Sequence, residues 1–261
     1  SKSKRVRTNL LNFPSKNFIY PQPLGVCLII GAWNYPYNVS ILPLVSAIAA
    51  GNTVILKPSE VAYNTSKAMA TIFNDNFNPE LIKVVEGGVE ETTLILDQKL
   101  DKIFFTGSTK VGKIVYEKAA KNLTPITLEL GGKSPAIFTE SADLKMGVKR
   151  MTWAKFLNAG QTCIAPDYCI VHSSIKDQFL ELVKQEIQKA NYGTDQNNYV
   201  QIINKSNTER IVLFLKNVQV DKRARNGHRY LYRRTSNDDG NNWNKEQQVE
   251  FKNVNSNINI D

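Results

Sequence analysis

Three cysteines are the residues of this chain best suited to covalent chemistry, and their sequence surroundings differ. Cys27 and Cys169 each lie inside an apolar run, in LGVCLII and YCIVH, which is typical of core thiols in strands. Cys163 lies in NAGQTCIAP, a small and polar stretch between a predicted helix and a predicted strand. A nucleophilic thiol needs exposure, so Cys163 is the candidate nucleophile, although its local sequence alone also fits a structural cysteine.

A catalytic base is the second requirement, and the two histidines are poorly placed to supply it. His172 falls in a predicted strand and His228 in a polar C-terminal segment, so the sequence does not favour a Cys-His dyad. Glu129 in TLELGGKSP is the better candidate, because this carboxylate ends an apolar strand and precedes two glycines. Taken alone, Glu129 also fits an ordinary surface carboxylate. The histidine and cysteine spacings predict no metal site.

Backbone groups suited to phosphate occur in FFTGSTKVGK, residues 104–113. Gly107 directly follows a predicted strand, and Gly112 lies in the first turns of a helix for which Thr109 is the predicted cap. Such a turn lets a phosphate approach the N–H groups of a helix N-terminus. The segment matches neither the GxGxxG fingerprint nor the P-loop, and a plain strand-to-helix turn remains an equal alternative.

Two further polar residues directly follow predicted strands. Asn34 lies in WNYP (33–36) and Lys57 in KPSE (57–60). In open parallel sheets, ligands bind at the carboxyl ends of the strands, so a substrate and a cofactor would meet these side chains. The plain alternatives are that Asn34 closes a turn and that Lys57 is a solvated strand-end charge.

Short apolar runs alternate with helical stretches from Leu24 onward, which predicts an α/β fold with a parallel sheet and helices on both faces. Continuous apolar runs of this kind suit strands buried on both faces. The predicted strands are 24–30, 53–57, 81–85 and 102–106, and the predicted helices are 39–51, 64–75 and 109–121.

A second unit is predicted to begin at Glu129, with strands at 135–139 and 168–172 and helices at about 143–156 and 175–189. The predicted organisation is therefore 1–128, 129–215 and 216–261. Beyond Leu215 the apolar periodicity disappears and the composition turns to Asn, Arg, Lys and Asp. Such a segment cannot bury enough apolar area to offset its ordering entropy, so we expect disorder there.

Charge and composition exclude some classes of protein. The net charge is +9 in 261 residues, but the excess lies mostly at the two ends, and no RNA-binding aromatic signature is present. We therefore expect no nucleic-acid partner. The opening SKSKRVRTNL lacks the apolar centre of a signal peptide, and no apolar run is long enough for a membrane span. The expected location is cytoplasmic.

Together these segments resemble the aldehyde dehydrogenase superfamily, and most closely its class 3 branch of fatty and aromatic aldehyde dehydrogenases. The match runs from about Phe13 to Leu215 and is carried, in family order, by PLGVCLIIGAWNYP, GNTVILKPSE, FFTGSTKVGK, LELGGKSP and GQTCIAPDY. The resemblance implies that 1–128 is a Rossmann-like NAD(P)-binding domain with an N-terminal extended segment. It also implies that 129–215 is the first part of an incomplete α/β catalytic domain, and that the chain is truncated at both ends.

The same resemblance implies oxidation of a medium-chain or long-chain aliphatic aldehyde, or of an aromatic one, to the acid. The Cys163 thiolate would attack the carbonyl, the Cys163 N–H and the Asn34 amide would hold the oxyanion, and Glu129 would activate the water that hydrolyses the thioester. The cofactor would be NAD, with NADP also compatible. Lys57 and Glu60 would contact the adenosine ribose. The residues facing the pyrophosphate would be Gly107, Ser108, Thr109, Lys110, Val111 and Gly112.

The resemblance also bears on partners. It implies a homodimeric parent protein, and it is compatible with membrane association of that parent through C-terminal residues that this chain lacks. The alternative is a catalytically inactive nucleotide-binding fragment, or pseudoenzyme.

Overall fold

The computed structural model of the chain describes residues 2–191 and 199–209, together with three short strands at 231–233, 247–249 and 258–259. The chain divides into two compact units, Ser1–Gly131 and Gly132–Asp261. The sequence places this division slightly earlier, before Glu129. Because Glu129 ends a strand of the first sheet, that residue belongs to the first unit.

The first unit contains a small N-terminal hairpin and a five-stranded sheet with helices. In chain order its elements are β1 (Lys4–Val6), β2 (Asn17–Ile19), β3 (Val26–Ile30), α1 (Asn38–Ala49), β4 (Thr53–Lys57), α2 (Tyr63–Asn76), β5 (Ile82–Val84), α3 (Val89–Leu96), β6 (Lys102–Thr106), α4 (Thr109–Lys121) and β7 (Ile126–Glu129). The predicted strand 53–57 and helix 109–121 are confirmed at both ends. The sequence did not predict α3, a short helix in which the Glu91 carboxylate accepts the Gly88 N–H.

All neighbouring strands of the five-stranded sheet are parallel, in the order β5-β4-β3-β6-β7. Successive residues of β3 point to opposite faces, as strand geometry requires. Ile29 packs in the apolar cluster that contains residues of α1 and α2, whereas Leu28 packs in the cluster that contains residues of α3 and α4. The predicted parallel α/β fold with helices on both faces is thereby confirmed.

The second unit contains a three-stranded sheet and two long helices. Its elements are β8 (Ser134–Phe138), α5 (Leu144–Phe156), β9 (Pro166–His172), α6 (Lys176–Ala190), β10 (Leu231–Arg233), β11 (Gln247–Val249) and β12 (Ile258–Asn259). β8 and β9 are parallel, β12 pairs antiparallel with β9, and β10 pairs antiparallel with β11. An apolar cluster of Phe138, Leu144, Val148, Val171 and Phe179 joins β8 and β9 to α5 and α6.

β10, β11 and β12 fall inside the 216–261 segment, for which the sequence predicts disorder. The rest of that segment lies outside the described residues, and there the expectation stays a prediction. Within the described residues, no helix is long and apolar enough to cross a membrane, and no group of three or more His, Cys, Asp or Glu side chains is placed to hold a metal ion.

Candidate active site

The carboxyl ends of β4, β3, β6 and β7 lie side by side at one edge of the first sheet. Parallel pairing sets Ile30 opposite Lys57 and Thr106 opposite Glu129. Adjacent strands lie roughly 4.8 Å apart, so the Lys57 and Glu129 ends of the sheet are separated by about 14 Å. Asn34 and Gly107 follow β3 and β6 at this same edge. The first unit thus brings four of the predicted site residues to one edge.

Lys57 is a buried cation at this edge, with only 2% of its surface exposed. Its Nζ donates a hydrogen bond to the Pro58 carbonyl at 2.8 Å and lies 3.7 Å from Glu60 Oε2. Burial lowers the pKa of Lys57, and the nearby Glu60 and Glu91 carboxylates oppose that shift. The interpretation of Lys57 as a solvated strand-end charge is therefore wrong.

Asn34 lies in the loop between β3 and α1 and is half-buried. Gly31, the first residue of this loop, donates its N–H to the Lys57 carbonyl at 3.0 Å. Three residues before α1 begins, the Tyr35 carbonyl accepts the Val39 N–H at 3.0 Å. The loop is therefore held by backbone bonds to β4 at one end and to α1 at the other.

The N-terminus of α4 is capped by Ser108, and not by Thr109 as the sequence predicts. Ser108 has extended backbone angles, and its side-chain oxygen accepts the Val111 N–H at 3.3 Å. Thr109 is already the first helical residue, so its side chain is one position too late to act as the cap. Gly107 donates its N–H to the Glu129 carbonyl at 3.0 Å, which fixes the turn to the end of β7.

Gly112 has a packing role inside α4. A Cβ at this position would lie 2.8 Å from a methyl carbon of Leu130 and 3.4 Å from the Phe105 ring. The helix therefore approaches the sheet closely only because residue 112 is glycine. This contact accounts for Gly112 without a ligand, whereas the exposed residues 108–111 form the open start of the helix.

Cys163 lies in the second unit, in a segment that we call the nucleophile loop (residues 157–165), directly before β9. Its side chain is exposed, in contrast to the buried Cys27. A turn in which Ala165 donates its N–H to the Thr162 carbonyl at 3.1 Å contains Cys163. An exposed thiol in a tight turn is accessible to a substrate, as nucleophilic chemistry requires.

The start of the nucleophile loop has a left-handed backbone. Asn158 and Ala159 have φ values of 52° and 55°, and Gly160 has 74°. A left-handed conformation costs a residue with a side chain roughly 1–2 kcal/mol, so it persists only where neighbouring contacts enforce it. The Gln161 N–H donates to the Asn158 carbonyl at 3.1 Å and closes this turn.

Two contacts connect the segment before β8 to the nucleophile loop and to the start of β9. A Cβ on Gly132 would lie 2.9 Å from the Cys163 carbonyl oxygen, so the two backbones approach more closely than any side chain allows. Lys133 Nζ donates to Asp167 Oδ1 at 3.2 Å and connects the start of β8 to the start of β9. Gly132 of the LELGGKSP motif thus lies against Cys163 of the GQTCIAPDY motif.

Comparison with known proteins decides the family. The model of the aldehyde dehydrogenase family matches residues 3–242, a range that extends past the predicted limits of Phe13 and Leu215. This chain belongs to the aldehyde dehydrogenase family. It is 48% identical over 221 residues to aldehyde dehydrogenase family 3 member A2 of Pongo abelii, covering 84% of this chain and 45% of that protein. The predicted resemblance is confirmed.

Other relatives support the same assignment. The chain is 43% identical over 224 residues to the 4,4'-diaponeurosporen-aldehyde dehydrogenase of Staphylococcus aureus, covering 85% of this chain and 49% of that protein. The structure of the substrate-bound state of Staphylococcus aureus AldH superposes with a TM-score of 0.79 at 43% identity, covering 84% of this chain and 48% of that one. An aldehyde dehydrogenase of Mycobacterium tuberculosis complexed with NAD+ superposes with a TM-score of 0.71 at 29% identity, covering 84% of this chain and 47% of that one. The chain spans about half the length of these relatives.

Within this aldehyde dehydrogenase chain, the predicted site residues fall into two groups. Asn34, Lys57, Glu60, Glu129 and the start of α4 belong to the first unit, and Cys163 belongs to the second. The roles assigned to these residues stay predictions.

Three further residues escaped the sequence analysis: Glu91, Gly132 and Gln161. The signal for Glu91 was its position three residues after a Gly-Gly pair, which is the spacing of a helix-capping carboxylate. Gly132 and Gln161 contact residues that are distant along the chain, and no local sequence pattern predicts such contacts.

Proposed function

We propose that this chain supplies the cofactor-binding unit and the nucleophile of an enzyme that oxidises an aldehyde to a carboxylic acid with NAD. The observation that carries the proposal is the exposed Cys163 thiol in a constrained loop against Gly132. A core cysteine would need neither exposure nor such a backbone. Membership of the aldehyde dehydrogenase family gives the reaction class.

The proposed chemistry begins with attack of the Cys163 thiolate on the aldehyde carbon, which forms a C–S bond and a tetrahedral alkoxide. The Cys163 N–H and the Asn34 side-chain amide would donate to this oxygen. Lys57, Glu60 and the start of α4 would hold NAD, which would supply the hydride acceptor, and Cys163 would then carry the acyl group as a thioester. Glu129 would take a proton from water as the water attacks, so that the acid departs and the thiol is regenerated.

Chain continuity supports a role for Glu129 in the proposed chemistry of Cys163. Glu129 is exposed at the end of β7, and Gly132 lies against the Cys163 carbonyl. The three residue steps from Glu129 to Gly132 span at most about 10 Å. This short chain separation supports the proposal that the Glu129 carboxylate would act on the Cys163 thioester through a water molecule.

The first unit provides groups suited to NAD. The first helical N–H groups of α4 point out of the helix start and carry its partial positive charge, which suits a pyrophosphate. The exposed Glu60 carboxylate beside Lys57 can accept a hydrogen bond from a ribose 2′-hydroxyl and repel a 2′-phosphate. We therefore propose NAD as the preferred cofactor. NADP is compatible through Lys57, and one relative, from Mus musculus, is named as dimeric and NADP-preferring.

The surroundings of Cys163 favour an apolar aldehyde. Ile164, directly after the nucleophile, is 76% exposed, and Tyr168 and Leu157 are 44% and 41% exposed. An apolar chain that covers this surface gains about 25 cal/mol per Å². We therefore propose a medium-chain or long-chain aliphatic aldehyde, or an aromatic one. The Staphylococcus aureus relative is named for a 4,4'-diaponeurosporen aldehyde.

The remaining proposals concern the whole protein. We propose a homodimer, on the strength of the relatives that are named as dimeric. We further propose a cytoplasmic location, with membrane association of the whole protein as the alternative.

The test is NADH formation by the purified chain with hexanal and NAD, followed at 340 nm. We expect Cys163→Ala to abolish the signal, because no other residue replaces the thiolate. Cys169→Ala is the matched control and retains the signal, because the Cys169 side chain packs in the core of the second unit. Equal rates for the wild type and Cys163→Ala would remove Cys163 from the mechanism.

A calorimetric titration with NAD distinguishes the proposed enzyme from the alternative, a catalytically inactive nucleotide-binding fragment. Saturable NAD binding without aldehyde-dependent NADH would identify this chain as an inactive nucleotide-binding unit. Absence of both binding and turnover would overturn the proposal for the chain as a whole.

A further inference from the structure

We propose that Gln161 is a positioning residue that ties residues 201–203 to the nucleophile loop and thereby fixes the backbone from which Cys163 projects. Gln161 lies two residues before Cys163 and forms side-chain hydrogen bonds to both segments. All of these contacts lie within the second unit. The inference deepens the proposed function, because it names a residue that would orient the nucleophile without touching the substrate.

The Gln161 amide uses both of its ends. Its Oε1 accepts the Ile203 N–H at 2.9 Å, and its Nε2 donates to the Asn158 carbonyl at 3.0 Å and to the Gln201 carbonyl at 3.3 Å. A backbone N–H can only donate and a carbonyl can only accept, so the orientation of the amide is determined by its partners. Gln161 connects two segments separated by about 40 residues of chain.

Only glutamine satisfies this pattern. Glutamate at position 161 keeps an acceptor for the Ile203 N–H but has no hydrogen to donate at neutral pH. Methionine preserves the length of the side chain and removes both functions. Gln161→Glu and Gln161→Met therefore separate the donated bonds from the accepted one without opening a large cavity.

The Gln161 contacts also explain how the strained turn persists. Asn158 and Ala159 are left-handed, and the Asn158 carbonyl accepts both the side-chain and the backbone N–H groups of Gln161. Strained backbone persists where the surrounding structure enforces it. Loss of the Gln161 amide removes part of that constraint, so the peptide that carries the Cys163 N–H becomes less fixed.

Hydrogen exchange of the full chain, read by mass spectrometry of peptides, tests the tie directly. We expect Gln161→Met to accelerate amide exchange at least about tenfold in both 157–165 and 199–205, because each loses hydrogen bonds. Gln161→Glu should accelerate exchange at 157–165 and leave the Ile203 amide more protected than in Gln161→Met. Gln185→Met is the matched control, since this exposed glutamine of α6 has a side-chain bond to Glu181 at 3.0 Å.

The outcomes distinguish this proposal from the proposed function. Unchanged exchange at 199–205 in Gln161→Met, or equal acceleration throughout the chain, would overturn the tie. If the wild type turns over hexanal, Gln161→Met should lower kcat about tenfold per folded molecule, with the folded fraction measured by urea titration, and leave KM for NAD within about twofold. If the wild type shows no turnover but the exchange of both segments still changes together, the tie stands and the proposed function fails.

Discussion

The Lys57 end of β4 and the nucleophile loop hold polar side chains by different physical means. Lys57 is 2% exposed at the end of a central strand, where parallel pairing and apolar packing on both faces of the sheet fix its backbone. Cys163 is exposed, and its loop is held by a left-handed turn, a glycine contact and side-chain hydrogen bonds. Burial therefore positions the first residue, whereas a few short contacts position the second.

The difference has consequences for how each region fails. A strand end inside a sheet moves only when the sheet opens, which costs a large part of the unfolding free energy. A loop held by a few contacts loosens when one of them is lost, at a cost of roughly 1–2 kcal/mol. The nucleophile loop should thus respond to single conservative substitutions that leave the fold intact, and the Lys57 end should not.

Thiol labelling gives the largest expected effect. Burial raises the pKa of the Cys27 thiol in β3, and the nearby Asp101 carboxylate adds to that shift, whereas Cys163 is exposed. Cys27 reacts only when the sheet opens, so we expect iodoacetamide to label Cys163 at least about a thousandfold faster. Peptide mass spectrometry over time measures both rates in the same sample. Comparable rates would show that the two regions are not held differently.

The two regions also differ in how far the sequence predicts them. The apolar run TVILK predicts a buried strand, and the structure gives that strand the same limits, 53–57. The strand assignment predicts the position of Lys57, because the carboxyl ends of parallel strands lie at one edge of the sheet. The sequence did not predict the burial of Lys57, because it cannot show that Glu60 and the Pro58 carbonyl provide partners for the ammonium group.

The nucleophile loop was predictable only in part. The sequence indicates that Cys163 lies between a helix and a strand, and the structure places it there. The left-handed turn was not predicted, because Ala159 has no local preference for that backbone and adopts it through contacts made after folding. The ties to Gly132 and to residues 201–203 depend on pairing across the chain, which composition and periodicity do not encode.

Gly132→Ala tests the close contact of the nucleophile loop and is expected to have the next largest effect. The added methyl group would lie 2.9 Å from the Cys163 carbonyl oxygen, so one of the two backbones must shift. We expect a loss of about 2 kcal/mol in the free energy of unfolding of the chain, measured with urea. Gly131→Ala is the matched control, because nothing lies within 4 Å of a Cβ at that position. Equal losses in both variants would contradict a specific contact.

Lys57→Met tests whether burial, and not charge, positions the end of β4. Removal of the buried ammonium should raise the free energy of unfolding at neutral pH by about 1–2 kcal/mol, since the Glu60 carboxylate left behind is solvated. The matched control is Lys67→Met, an exposed lysine of α2. A large destabilisation by Lys57→Met would show that the charge itself supports the strand end.

The pH dependence of stability sharpens the same test. Burial lowers the pKa of folded Lys57 below its ordinary value of 10.5, so the unfolded chain binds more protons between those two values. The contribution of Lys57 to stability therefore rises with pH across that interval and is constant below it. Urea titrations at several pH values should show this rise in the wild type and in Lys67→Met, and its absence in Lys57→Met.

Ser108→Ala is expected to have the smallest effect. Ser108 caps the start of α4, at the edge of the sheet. The Ser108 oxygen accepts the Val111 N–H at 3.3 Å, so its loss should lower the free energy of unfolding by about 1 kcal/mol. Thr109→Ala changes the neighbouring hydroxyl, which does not occupy the cap position, and should change stability by less than about 0.5 kcal/mol. A larger loss in Thr109→Ala than in Ser108→Ala would return the cap to Thr109. If Ser108→Ala has the larger effect, the Ser108 side-chain hydrogen bond defines the start of α4, and packing at Gly112 holds the rest of the helix against the sheet.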